Sequence, residues 1–90
     1  MSDVPLILNI IVIQYMQNNT YDNIINQIKP IKAWVNIKDN INKLSIRPTK
    51  NGNYGIFFDE NFTGVFIGGY SVDLNELSKT NIKFNKKVMD

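Results

Sequence analysis

"IKAWVNIKDNINKL" (residues 31–44) can be read in two periods. Taken in twos, Ile31, Ala33, Val35 and Ile37 alternate with Lys32, Trp34, Asn36 and Lys38, the pattern of a half-buried strand. Taken in threes and fours, Ile31, Trp34, Ile37, Ile41 and Leu44 line one side of a helix. The alternation fails at Asp39, Asn40 and Ile41, whereas the helical spacing continues to Leu44. Pro30 stands where a helix accepts proline, at or just before its start. The spacing therefore predicts a helix over 31–43. Its apolar side carries Trp34, Ile37, Ile41 and Leu44, and its other face carries Lys32, Asn36, Asp39, Asn40 and Lys43.

Working outward from this segment, "NNTYDNIINQIKP" (18–30) predicts a short helix over 21–29. Thr20 or Asn19 is its N-cap, Asp22 lies in the first turn, and Pro30 marks the exit. Ile24, Ile25 and Ile28 make its apolar stripe. Further upstream, "VPLILNIIVI" (4–13) belongs to a first element running to about Gln17. Its length without a turn signal favours a helix, with Asp3 as cap and Pro5 in the first turn, although its β-branched residues also fit a buried strand. The run is too short to cross a bilayer and lacks the basic leader and cleavage site of a signal peptide, so a core element is expected.

Downstream of Leu44 the signals change to strand. "LSIRP" (44–48) and "YGIFF" (54–58) flank "TKNGN", whose Asn51-Gly52 pair is a hairpin cue. "DENFTG" (59–64) reads as a second turn and "VFIGGYSV" (65–72) as a third strand, with Gly68-Gly69 at a bulge or bend. Asp73 caps a short helix at 74–79, and the basic tail from about 80 to 90 holds a short strand near 81–84. The expected architecture is a single α+β domain over 1–90.

Composition removes several kinds of chemistry. The chain has no Cys and no His, so disulfides, thiolate or imidazole metal sites and the usual general base are excluded. An enzyme is not expected, and no cofactor, metal or membrane partner is implied. Asp59-Glu60 and the Asp73/Glu76 pair hint at a cation site, but turn and capping roles explain them better. The net charge of +2 is unevenly spread: residues 29–50 carry +5, 51–78 carry −4, and 79–90 carry +3. Fourteen Ile and fourteen Asn against one Ala point to an AT-rich genome. Together these features suit an intracellular protein, in the cytoplasm or nucleus of its source or host cell, from a virus, mobile element or microbe.

Helix, short helix, helix and then a hairpin with a polar tip is the winged-helix order, followed here by a third strand. In that arrangement the third helix enters the major groove and the hairpin wing follows the backbone. "AWVNIKDNI" (33–41) resembles the recognition-helix motif of forkhead domains, with Trp34, Asn36, Ile37, Lys38, Asn40 and Ile41 at the family's positions. "GNYGIFFDEN" (52–61) is similar to that family's wing strand, and "YMQNNTYDNIINQI" (15–28) to the end of its first helix and its second helix. The family's serine after Asn36 has no counterpart, Asp39 stands at its histidine, and 65–90 has no equivalent.

The resemblance and the charge pattern imply a double-stranded DNA-binding regulatory domain with a recognition helix (31–43) and a basic wing (44–58). Asn36, Asn40 and Lys43 would face bases; Lys32, Lys38, Arg47, Lys50 and Asn51 would hold phosphates. Two alternatives remain open. In one, 31–38 is a strand of a small antiparallel sheet with one or two packed helices, and Tyr54, Phe57, Phe62 or Phe66 contacts another protein, as in a host-factor inhibitor. In the other, a winged helix binds protein rather than DNA, or pairs as a homodimer through its apolar first element.

Overall fold

The computed structural model describes residues 19–89. Asn19 opens α1 (Thr20–Ile28), its side-chain oxygen accepting from the Asp22 N–H at 3.3 Å. That satisfies one of the helix's free donors, as the polar residues before "YDNII" predict. Ile24 and Ile28, one turn apart, are fully buried, whereas Ile25 lies on the flank of the stripe and is half-buried. The first element of the sequence reading, residues 4–17, lies outside the described residues.

Segment 31–44 is neither the long helix nor the strand. It folds as successive tight turns that keep a helical hand: a short α2 (Trp34–Ile37), then a 3₁₀ turn at Ile41–Lys43. Bonds of the i to i+3 type dominate, including Trp34 N to Ile31 O at 3.0 Å and Asn40 N to Ile37 O at 2.8 Å. The break falls at Asn40, whose φ of −137° and ψ of 44° leave the helical region. Its side-chain amide turns back to donate to the Asn36 carbonyl at 2.9 Å. Local chemistry explains the departure from the expected helix. Asn36, Asp39, Asn40 and Asn42 are residue types whose side chains can compete with the helix ladder, as Asn40 does here, and Val35, Ile37 and Ile41 lose rotamer freedom in a helix. The facing is nevertheless the expected one, since Ile37 and Leu44 are buried while Lys32, Asn36, Asp39 and Lys43 are exposed.

The sheet has four strands in the order β3-β2-β1-β4: β1 (Leu44–Pro48), β2 (Tyr54–Phe58), β3 (Asn61–Ile67) and β4 (Lys83–Phe84). β1 and β2 form the expected hairpin, closed by Thr49 N to Asn53 O at 2.9 Å and Gly52 N to Thr49 O at 3.3 Å. The second turn is shorter than the sequence implied. Asp59 and Glu60 alone make it, at φ of 51° and 65°. Left-handed conformations at both central residues are what a two-residue hairpin loop of type I′ requires. β3 consequently begins at Asn61 rather than 65. β4 runs parallel to β1, with Ser45 opposite Lys83 and Ile46 opposite Phe84, so the sheet is mixed rather than purely antiparallel.

Alternation along the strands divides the sheet into two faces. Leu44, Ile46, Ile56 and Ile67 point to one side, where they meet Ile24, Ile28, Ile37, Leu77 and Ile82 in one buried cluster. Tyr54 and Phe84 pack at the border of this cluster, edge to face at 6.1 Å. After a 3₁₀ turn at Gly69–Ser71, α3 (Leu74–Leu77) starts at Asp73, whose carboxylate accepts from the Asn75 N–H at 2.9 Å. The buried Thr20 hydroxyl accepts from the Asp73 N–H at 2.8 Å and ties the starts of α1 and α3 together. Residues 19–89 thus form a small α+β domain with the described helices on one side of the sheet.

Candidate interaction surface

The other face of the sheet holds Ser45 and Arg47 from β1, Gly55 and Phe57 from β2, and Phe62 and Phe66 from β3. Its organisation depends on an irregularity in β3. Val65 pairs with Ile56, but Phe57 pairs with Phe62, so Thr63 and Gly64 are extra residues on that strand. Gly64 takes φ of 85°, a conformation that side chains oppose, and the Thr63 hydroxyl donates to the Ile56 carbonyl at 2.6 Å. In a regular strand Phe62 and Phe66 would stand about 13 Å apart along the chain. The bulge brings their ring centroids to 5.1 Å, and Phe62 lies 5.4 Å from Phe57.

The result is a row of three rings. Phe57 is nearly buried by its neighbours, while Phe62 and Phe66 are 42% and 53% exposed. Arg47 continues the row, its guanidinium carbon 5.0 Å from the Phe57 centroid. Gly55 leaves the gap in which Met89 packs; a Cβ there would collide with the Met89 sulfur.

β4 and the residues after it bring a second basic segment beside the first. Asn85 N donates to Ile46 O at 2.9 Å and Met89 N to Pro48 O at 2.8 Å, so residues 85–89 follow the edge of β1. Arg47 holds them there, Nε donating to the Lys87 carbonyl at 2.8 Å and Nη2 to that of Val88 at 3.2 Å. Lys83, Lys86 and Lys87, exposed, thereby join Lys43 and Lys50, also exposed, on and beside one sheet edge. A cleft of about 710 Å³ opens at the Lys43 end, where Lys43, Lys83 and Lys86 stand with Asp59 and Glu60, so carboxylates bound the positive surface there.

The residues expected to bind DNA are therefore dispersed. Lys32, Asn36 and Lys38 are exposed on and around α2, the element whose Ile37 enters the core. Asn40 is half-buried with its amide engaged to Asn36. Lys50 and Asn51 are exposed at the tip of the β1–β2 hairpin. Arg47 faces away from the α2 side, committed to Phe57 and the tail carbonyls. The sequence reading did not assign Lys83, Lys86 and Lys87 to the surface. Their charge was visible as the +3 tail, but a parallel pairing across nearly forty residues leaves no local signature.

Asp59 and Glu60 are turn residues and Asp73 is a cap, and among the described residues no three acidic side chains cluster to hold a metal ion. Among them too, no helix is long and apolar enough to cross a membrane. No protein family, no curated protein and no solved structure matches the chain.

Proposed function

We propose that this chain is a non-enzymatic nucleic-acid-binding domain that grips the phosphate backbone along its β1–β4 edge. The observation that carries this reading is the parallel pairing of β4 with β1. It sets Lys83, Lys86 and Lys87 of the basic tail beside β1, whose Arg47 and flanking Lys43 and Lys50 belong to the basic middle segment, although an acidic stretch separates the two in sequence. Clustered lysines on one side of a small domain are the electrostatic footprint of such binding, and each phosphate neutralised releases counterions.

The finer reading is a winged-helix regulator of double-stranded DNA. There the β1–β2 hairpin is the wing, Lys50 and Asn51 at its tip hold phosphates, and Asn36 and Lys43 face bases from the turns around α2. Support comes from the exposure of these side chains and from the hairpin itself. One turn of α-helix presents fewer side chains to a major groove than the helix expected from the spacing, so backbone contact carries more of the reading than base contact.

The test is fluorescence anisotropy with labelled duplex and single-stranded probes at low and near-physiological salt. The triple variant Lys43→Glu, Lys50→Glu, Lys87→Glu changes three exposed side chains and is expected to fold normally. It should bind at least tenfold more weakly, with a shallower dependence on salt. Unchanged affinity, or no binding of any probe at low salt, would sink the proposal. A protein partner on the aromatic row would then be the better reading, because Phe62 and Phe66 are exposed with or without a nucleic acid.

A further inference from the structure

We infer that the aromatic row on the open sheet face stacks unpaired bases, so that the basic edge prefers single-stranded nucleic acid to duplex. The inference rests on the reading of the β1–β4 edge as a nucleic-acid surface and names a single-stranded substrate for it in place of the double-stranded one of the winged-helix reading. Bases in a duplex are already stacked on each other and offer a protein only their edges. Unpaired bases offer flat π-faces, and proteins that bind single strands meet them with aromatic side chains beside a positive groove.

Both parts are present on this sheet, the rings on β3 and the tail lysines on and after β4 across β2 and β1, with Lys50 bridging them in one groove with Phe66 and Met89. Phe62 and Phe66 are exposed, and their tilted contact at 5.1 Å and 57° leaves two differently inclined ring surfaces for two successive bases. Arg47 stands between the rings and the tail, stacked on Phe57 and bonded to the Lys87 and Val88 carbonyls. Lys87 follows directly on the tail, and Lys50 lies beside Phe66 and Met89 at the hairpin end. A strand crossing the face would thus lay bases on the rings and phosphates toward the lysines. Lys50, in one groove with Phe66 and Met89, favours a polyanionic occupant of this face.

The test compares a labelled oligothymidine of about twenty nucleotides with a blunt duplex of similar length, using the wild-type chain and ring variants. The single strand should bind more tightly than the duplex. Phe62→Leu and Phe66→Leu keep an apolar side chain but lose the π-face, and each should weaken single-strand binding about tenfold while leaving duplex binding unchanged. Phe66→Tyr keeps the ring and should bind like wild type. If the triple lysine variant weakens both probes while the Leu variants weaken neither, the nucleic-acid reading stands and the stacking inference falls. If no probe binds, both fall. Sedimentation completes the design: a dimer that dissociates on Phe66→Leu would assign the row to self-association and overturn the inference.

Discussion

On one side of the sheet Ile46, Ile56 and Ile67 lie sealed beneath α1 and α3; on the other, one residue along the same strands, Arg47, Phe57 and Phe66 face outward. The fully buried residues of the covered face are Ile and Leu, whose branched shapes interlock with a second layer, with Tyr54, Phe58 and Val65 packed around them. The other face is aromatic, and among the described residues its rings are steadied by one another and by Arg47, with Met89 packed beside them over Gly55. The difference teaches that the same strands can close a core with one set of side chains while the alternate set, Phe62 and Phe66 among them, stays exposed among the described residues. Substitutions should therefore separate stability from binding according to face.

The largest effect is expected on the covered side. Ile56→Ala empties a fully buried site next to Ile46 and should lower unfolding free energy by about 2–5 kcal/mol in a denaturant titration. A loss under about 1 kcal/mol would break the contrast, because it would show that the covered face is loosely packed. Gly64→Val comes next. It places a β-branched residue at φ of 85° and should cost about 1–2 kcal/mol. The same change should disturb the approach of Phe62 to Phe66, which makes it the one substitution expected to affect both stability and binding.

Glu60→Gly touches neither face. It relieves a left-handed non-glycine residue in the β2–β3 turn and should raise stability by about 1 kcal/mol, read as a shift of the denaturation midpoint at constant slope. Destabilisation would mean that the Glu60 side chain contributes more than its backbone costs. Phe66→Leu should have the smallest effect on stability, under about 0.5 kcal/mol, because it keeps an apolar side chain at an exposed site. A loss as large as that of Ile56→Ala would erase the distinction between the faces.

Where the signal was local, the sequence was informative. Asn19 before "TYDNII", Asp73 before "LNEL" and the Asn51-Gly52 tip all act through neighbours a few residues away, and each formed as read. Segment 31–44 shows the limit of periodicity. The spacing identified which side chains turn inward, Ile37 and Leu44 among them, but not how far the helix runs. Extent was decided by the Asn-rich composition, through side-chain bonds such as Asn40 to Asn36. Gly64 illustrates another failure: a glycine near two acidic residues reads as part of a turn, yet it serves a bulge inside a strand. The aromatic row depended on that bulge, and the basic edge on the β1–β4 pairing. Neither register nor parallel pairing is encoded by residues adjacent in the chain, so the candidate surface was legible in its ingredients and not in its assembly.

The docking of residues 85–89 along β1 also has a thermodynamic consequence. The bonds that seat this segment, from Arg47 to Lys87 and Val88 and from Met89 to Pro48, hold cations near cations, and mutual repulsion opposes them. Any polyanion that prefers the docked state must shift the docking equilibrium toward it by mass action. If the proposed polyanion binding holds, protection of the Met89 amide against hydrogen exchange should rise with ligand concentration, linking the docking of residues 85–89 to occupancy.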